Sequence, residues 1–210
     1  GVDLLRLGDY ERARQAFAAQ YAIDAGANPL YNSACASALA GDRRPALDML
    51  ERAILEGYSG SDHMREDSDL AALRDEPRFK DLMKLSDDLE LDSSPGIWKI
   101  GHRGNDRAEW QAVVPRYERI TRERPTVGRA WFNLGYAQIR AGHPAEAAAS
   151  YRKTLDLKYR EPTSMYNLAC AYAQAHQADE AFQWLERAEA AGLKIGNLAL
   201  NDDDLDPLRR

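Results

Sequence analysis

The chain has 210 residues, of which 44% are hydrophobic and 30% are charged, and its formal net charge is −6. This length suits one large or two small domains, and the acidic balance argues against non-specific binding of nucleic acid, which needs clustered Lys and Arg. No apolar run approaches the length that spans a membrane, and no signal peptide opens the sequence.

The first 57 residues predict helices separated by tight turns. The turns contain Gly followed by Asp, at Gly8 and Gly41, and Pro45 stands early in a helix, where its missing N–H does no harm. Gly1 falls inside a helix of this series, so we expect that further residues precede it. The sequence therefore does not decide between a cytoplasmic and a periplasmic protein. The predicted helices cover residues 2–7, 10–24, 28–40 and 43–57.

After residue 57 this pattern of helices and tight turns no longer continues. A carboxylate at Asp67 or a hydroxyl at Ser68 can accept hydrogen bonds from the start of a short helix that ends at Leu73. A second helix can begin at Pro77 and bury one apolar side. The acidic segment 87–96, which ends in Ser-Ser-Pro-Gly, is the predicted junction between two domains. The apolar side of the second helix consists of Phe79, Leu82, Met83 and Leu85.

A two-helix motif is clearest in residues 130–158. Gly135 and Ala147 are small because the two helices cross closely there, and Trp131 and Tyr151 fill the space around the crossing. The motif recurs about every 34 residues, which is the sign of a repeat protein. The positions equivalent to Ala147 are Ala13, Ala46, Val113 and Ala181.

This motif resembles the tetratricopeptide repeat (TPR), whose pattern of Trp, Leu-Gly, Tyr, Ala, Phe and Pro has a period of about 34 residues. The resemblance implies an all-α fold, an α-solenoid of antiparallel helix pairs (the TPR superhelix), with about a dozen helices and no sheet. Two positions depart from the pattern, because Gln138 replaces the Tyr and Tyr159 replaces the Pro. The run from Asp67 to Phe79 resembles the segment that ends groups of TPRs in bacterial proteins, where it would cap the bare end of the array.

The sequence also contains a long duplication. Residues 31–74 align with residues 166–209 without a gap, at an offset of 135, with 18 identities in 44 positions. We interpret the chain as two capped TPR groups, one in residues 1–92 and one in residues 93–210, whose capping segment is truncated. Identical pairs include Tyr31 and Tyr166, Cys35 and Cys170, and Asp69 and Asp204.

The two cysteines occupy equivalent helix positions in this duplication, at Cys35 and Cys170. Equivalent sites of distant repeats cannot approach within the ~7 Å between Cα atoms that a disulfide requires. We therefore expect two free, half-buried packing residues.

Nothing in the sequence predicts an active site, a cofactor or a metal site. The four histidines lie in different repeats without a partner at metal-ligand spacing, and no hydrolase, Walker or dinucleotide motif occurs. The run from Asn201 to Asp204 lacks the glycine and the trailing Glu of an EF-hand loop and aligns with Asp67. We interpret it as a helix cap, with calcium binding as the alternative.

The resemblance to TPR proteins implies that the first helices of the pairs line a concave groove. Peptide-binding members carry Asn at the sixth repeat position, which here is Asn32, Asn133 and Asn167. A side-chain amide can bond both the N–H and the C=O of an extended peptide. The alternative is that each Asn bonds its own helix neighbours.

Basic residues at neighbouring groove positions would suit an acidic ligand or a C-terminal carboxylate. They are Lys99, Arg129 and Arg140, and large aromatic side chains lie beside them in the same frame. We expect the functional surface on the concave face of residues 97–175. The predicted groove residues are Trp98, Lys99, His102, Arg129, Phe132, Asn133, Tyr136, Arg140, Tyr166 and Asn167.

The predicted function is a non-catalytic scaffold that binds a protein or peptide partner in this groove, without a nucleic-acid partner. One alternative is that the repeats are the regulatory or sensor region of a larger enzyme or transcription regulator. A second is self-assembly through the incomplete C-terminal cap. The sequence leaves the identity of the partner and the oligomeric state open.

Overall fold

The structure is a computed structural model that describes residues 1–24, 26–90 and 107–209. The chain divides into two compact units, residues 1–94 and 95–210, and each unit is described by itself. In the described residues every regular element is helical and no strand occurs, which confirms the predicted all-α fold. No helix in these ranges has the length and apolar character needed to cross a membrane.

Four helices open the N-terminal unit: α1 (Val2–Arg6), α2 (Tyr10–Ile23), α3 (Ala27–Leu39) and α4 (Arg43–Leu55). Each packs against the next in chain order. Phe17 and Ala13 of α2 are buried against Ala36 of α3, which places two adjacent predicted repeats in contact. Helix α3 begins one residue before the predicted Asn28, because Gly26 is still extended and the chain turns into the helix directly after it.

A capping segment completes this unit: α5 (Ser61–Glu66), a first 3-10 helix (Ser68–Leu73) and α6 (Pro77–Leu89). The 3-10 helix packs on α3, and α6 packs on α4 and α5. The 3-10 helix and α6 confirm the predicted elements, including the buried side of Phe79, Leu82, Met83 and Leu85. Helix α5 was not predicted, since six residues are too few to show a helical period.

Six helices and a second 3-10 helix form the described part of the C-terminal unit: α7 (Arg107–Glu123), α8 (Gly128–Ala141), α9 (Pro144–Asp156), α10 (Glu161–Gln174), α11 (Ala178–Ala190), α12 (Gly196–Asn201) and the 3-10 helix Asp203–Leu208. Helices α7 to α11 pack as successive neighbours, α8 also contacts α10, and the second 3-10 helix packs on α10. The described residues thus hold twelve α-helices, in agreement with the predicted dozen.

The close helix crossing predicted from the small residues is present. Ala147 and Ala181 are 0% exposed, and a Cβ atom at Gly135 would lie 2.9 Å from Cζ of Tyr151. Only glycine fits at this position of α8, because a side-chain carbon less than 3.0 Å from the buried ring would force the backbone or the ring to shift. Trp131 differs from the prediction: it is partly exposed, and its indole N–H donates to the carbonyl of Pro125 at 2.9 Å.

Replacement of Ala147 by Leu should overpack the crossing and lower the free energy of unfolding by about 1–3 kcal/mol. The matched control is Ala149→Leu, which adds the same side chain to the same helix at an exposed position and should change stability by less than about 0.5 kcal/mol. Denaturant unfolding monitored by circular dichroism measures both. Equal stabilities for the two variants would mean that the assigned register of α9 is wrong.

Candidate functional site

Helices α8 and α10, which contact each other, carry the described part of the predicted groove. Four of its residues are partly exposed in the structure: Phe132, Tyr136, Arg140 and Asn167. These groove residues keep part of their surface exposed to solvent. Trp98, Lys99 and His102 lie outside the described residues.

Three other predicted groove residues are buried, which corrects our expectation that they face solvent. Arg129 is 0% exposed, Asn133 is 2% exposed and Tyr166 is 4% exposed. Helix α8 is enclosed by α7, α9 and α10, and the Asn133 amide donates to the hydroxyl of Tyr117 on α7 at 3.4 Å. This contact favours a structural role for Asn133, with a partner on the preceding helix and not among the neighbours on its own helix that we expected.

Tyr166 is buried because the C-terminal capping segment covers it. Its hydroxyl donates to Oδ2 of Asp202 at 2.8 Å, and the Cys170 thiol lies 3.9 Å from the same oxygen. The other oxygen of Asp202 accepts from the backbone N–H of Asp204 at 3.0 Å and so caps the second 3-10 helix. The acidic run is therefore a helix cap, as interpreted from the sequence, and the described residues contain no cluster suited to a metal ion.

The N-terminal unit contains the same contact. Oδ2 of Asp67 accepts from the hydroxyl of Tyr31 at 2.5 Å and lies 3.8 Å from the Cys35 thiol, while Oδ1 accepts from the N–H of Asp69 at 2.9 Å. Arg74 then donates to the carbonyl of Asp67 at 3.1 Å. At the offset of 135, Arg209 donates to the carbonyl of Asp202 at 2.9 Å. The duplication thus preserves a three-dimensional contact, which we call the tyrosine–aspartate cap contact.

Burial in this contact changes the acidity of its tyrosines and thiols. Desolvation, followed by the hydrogen bond to the aspartate, raises the pKa of Tyr31 and of Tyr166. Desolvation also raises the pKa of Cys35 and Cys170, and the nearby carboxylate adds to the effect. Both cysteines are free and fully buried rather than half-buried as we expected. They remain protonated packing residues and not reactive thiolates.

Arg140, which we expected to meet an acidic ligand, lies next to an acidic group of its own chain. Its Nη2 atom is 3.3 Å from Oδ2 of Asp204, and its guanidinium lies over the ring of Tyr136 at 5.3 Å. Burial raises the pKa of Asp204, and the charge of Arg140 opposes that rise. The second 3-10 helix therefore places a carboxylate where the ligand was expected to place one.

Arg160 is a residue that the repeat frame did not identify. It is exposed, and its guanidinium lies over the rings of Phe132 at 5.9 Å and Tyr159 at 5.6 Å. The backbone of Arg160 is left-handed, with φ of 44°. Arg160 is the last residue of the turn before α10. No carboxylate in the described residues forms an ion pair with it. Asn167 lies about two helical turns further on, within the helix that begins directly after Arg160.

Comparisons with known families match the two units separately. Residues 9–94 match the model described as A/B hydrolase-like, N-terminal domain. Residues 107–158 and 134–192 match the tetratricopeptide repeat model. No curated protein matches the chain at a significant level.

Two solved structures are similar to the chain. One, described as MamA AMB-1, is 19% identical with a TM-score of 0.39, and the alignment covers 90% of this chain and 93% of the other. The second, described as a crystal structure of MamA, is 15% identical with a TM-score of 0.37 and coverages of 90% and 91%. Because both TM-scores are below 0.5, we draw no conclusion about the fold or the function of this chain from these two structures.

Removal of the hydroxyl in Tyr166→Phe should lower the free energy of unfolding by about 1.5–3 kcal/mol at pH 7, because it deletes a hydrogen bond to a charged acceptor. The raised folded-state pKa of Tyr166 means that this stabilisation is complete below the unfolded pKa of about 10 and is lost as pH rises above it. The advantage of the wild type over Tyr166→Phe should therefore shrink above pH 10.

Tyr172→Phe is the control on the same helix, since the hydroxyl of Tyr172 bonds the exposed Arg152 and not the cap. Denaturant unfolding at pH 7 and at pH 10 to 11 gives the comparison. A Tyr166→Phe variant as stable as Tyr172→Phe at pH 7 would contradict a stabilising role for the cap contact.

Proposed function

The C-terminal unit consists of tetratricopeptide repeats over residues 107–192, and from this premise we propose that the chain is a non-catalytic protein-interaction scaffold. The ligand is a peptide or an extended segment of a partner protein, and it binds on the face of α8 and α10. The observation that supports this site best is an exposed arginine, Arg160, that lies over two aromatic rings and has no carboxylate partner in the described residues.

The chemistry of this face favours a ligand with an acidic group beside an apolar side chain. Arg160 offers a planar guanidinium that can bond a carboxylate in a bidentate way. Phe132 is held edge-on by Tyr151 at 5.7 Å and by Tyr159 at 5.8 Å, so its ring is a rigid apolar surface. Asn167 can bond the backbone of an extended segment. Arginine and aromatic residues dominate the energy of protein interfaces.

Arg140 adds to the preference for acidic groups. Its present partner, Asp204, is a carboxylate whose pKa is raised by burial, so the pair carries a desolvation cost. A ligand carboxylate that displaces Asp204 would return that side chain to water. The site would then bind acidic segments at both Arg160 and Arg140, and the net charge of −6 disfavours nucleic acid as the ligand.

A second candidate function is that the repeats regulate a larger enzyme. The match of residues 9–94 to an A/B hydrolase-like N-terminal domain favours it. That unit is helical in its described residues and lacks the sheet on which α/β-hydrolases carry their nucleophile, so its role would be regulation or substrate recruitment. The complete open reading frame of the gene distinguishes the two functions: a hydrolase domain in the same frame would favour the second.

Peptide selection from a random displayed library on the immobilised chain tests the proposed site. We expect selected peptides to combine an acidic residue or free C-terminus with an apolar residue. Fluorescence anisotropy with one such peptide should then show weaker binding by Arg160→Gln and by Asn167→Ala, by about 1–3 kcal/mol for each group whose partner is left unpaired.

Arg187→Gln is the matched control, because Arg187 also lies over an aromatic ring, that of Trp184 at 4.5 Å, but on α11. It should leave the affinity unchanged, and all variants should keep the melting temperature of the wild type. Selected peptides that bind Arg160→Gln and Asn167→Ala as tightly as the wild type would place the ligand elsewhere.

A further inference from the structure

An open cleft lies within the C-terminal unit, on the side of α8 that faces away from the α8–α10 face. Three residues of α8 line it, Trp131, Leu134 and Gln138. Their spacing of three and four residues places them on one stripe of the helix. Phe132 and Tyr136, which belong to the α8–α10 face, lie on nearly the opposite side, at about 3.6 residues per turn. The cleft is therefore a separate site.

The cleft has the size and the apolar surface of a ligand pocket. Its volume is about 740 Å³, within the range of about 300–1,000 Å³ in which protein pockets hold ligands. Leu134 is 3% exposed and forms part of its apolar lining. Trp131 is partly exposed, and its indole N–H is fixed on the carbonyl of Pro125 at 2.9 Å. The ring of Trp131 meets no other aromatic ring in the residues that the structure describes, so one of its faces is available to a ligand.

Gln138 is a buried polar group of this cleft whose hydrogen bonds are incomplete. It is 6% exposed, and its Oε1 accepts from the hydroxyl of Ser150 at 2.7 Å. Its Nε2 donates to no acceptor among the described residues, and a buried amide left in this state costs free energy that a ligand can recover. With the amide turned over, Ser150 would occupy Nε2 and leave Oε1 for the ligand. A ligand hydroxyl, which both donates and accepts, satisfies the amide in either orientation.

The next repeat, 34 residues further along the chain, carries aromatic residues at the equivalent positions. Tyr172 is the equivalent of Gln138, and Trp184 is the equivalent of Ser150. Tyr172 is 6% exposed, and the guanidinium of Arg152 lies over its ring at 5.6 Å. The TPR pattern also has Tyr at this position. Because Gln138 and Ser150 are both smaller than an aromatic residue, they leave room for a ring that the chain does not supply.

Charged side chains of both signs stand at the rim of the cleft. Helix α7 contributes Glu118 and Arg122, and α9 contributes Glu146 and Lys153. Glu118 and Arg122 form no ion pair within the described ranges. Carboxylates can accept from backbone N–H groups, and the basic groups can donate to backbone carbonyls. The rim therefore suits a neutral peptide backbone better than a ligand of one charge sign.

We propose that this cleft binds a tyrosine side chain presented by an extended segment of a partner protein. The ring lies against Trp131 and Leu134, the phenol hydroxyl bonds the amide of Gln138, and the rim bonds the backbone on either side of the tyrosine. Tyrosine combines a large rigid apolar body with a polar tip, which is why it is frequent at protein interfaces. This second surface of the scaffold does not depend on the α8–α10 face.

The probe is the capped tripeptide acetyl-Gly-Tyr-Gly-amide, titrated into the complete isotope-labelled chain and followed by NMR. The indole N–H of Trp131 and the side-chain amide of Gln138 are the reporters, and we expect saturable shifts of both. The Phe analogue of the tripeptide should bind about fivefold more weakly, because it leaves the amide of Gln138 unpaired. The tyrosine side-chain analogue 4-methylphenol should also bind at least about fivefold more weakly, because it lacks the backbone that bonds the rim.

Two chain variants test the cleft itself. Gln138→Tyr introduces the residue of the TPR pattern and fills the cleft, so it should weaken the Tyr peptide by at least about tenfold. Trp131→Met introduces the equivalent residue of the next repeat, Met165, and should weaken it by about threefold or more through loss of the ring contact. Gln183→Tyr is the control, since it makes the same change at an exposed position of α11 and should leave binding unaltered. Circular dichroism should show that all three variants keep the wild-type fold.

Four outcomes would overturn the proposal. The first is an absence of saturable shifts at Trp131 and Gln138, and the second is binding that neither Gln138→Tyr nor Trp131→Met weakens. The third is 4-methylphenol binding as tightly as the Tyr peptide, which would make the cleft a site for a small phenol and not for a partner segment. The fourth is a shift of the Asn167 amide in place of that of Gln138, which would put the peptide on the α8–α10 face.

Discussion

The structure depends on a hydrogen bond between a buried tyrosine hydroxyl and the aspartate that begins a 3-10 helix. A series of helix pairs leaves one apolar face bare at its end, and a cap must cover that face. The 3-10 helices that do so are short and contribute few buried apolar residues, such as Leu70 and Leu205. Hydrophobic contact alone sets their position weakly. The aspartate bonds the tyrosine with one oxygen and the helix N-terminus with the other, and so fixes the position and the start of the cap together.

The cap also determines which part of the α8–α10 face is exposed. The C-terminal cap covers Tyr166 and brings Asp204 to Arg140, so this end of the α10 face is occupied by the chain itself. The part of the face that lies away from the cap contains Phe132, Arg160 and Asn167. In the N-terminal unit, a further helix follows the 3-10 helix and packs on α4.

Local and short-range features of this fold were predictable from the sequence. Gly135 and Ala147 are required where two backbones cross, and Asp67 and Asp202 cap helices that begin within two residues of them. The burial of the groove residues was not predictable, because it depends on elements distant in sequence. Tyr166 is covered by a residue 36 positions away, and the amide of Asn133 bonds Tyr117 on the preceding helix. Arg160 was missed because it lies in a turn, outside the helical period on which the repeat pattern is built.

The most direct measurement of the central claim is a double-mutant cycle on the cap contact of the N-terminal unit. Tyr31→Phe, Asp67→Ala and the double variant are compared by denaturant unfolding. Asp67→Ala alone also removes the helix cap, and the cycle subtracts that effect. A cap positioned by this bond predicts a coupling energy of about 1.5–3 kcal/mol between the two residues. Additive effects of the two substitutions would contradict the account.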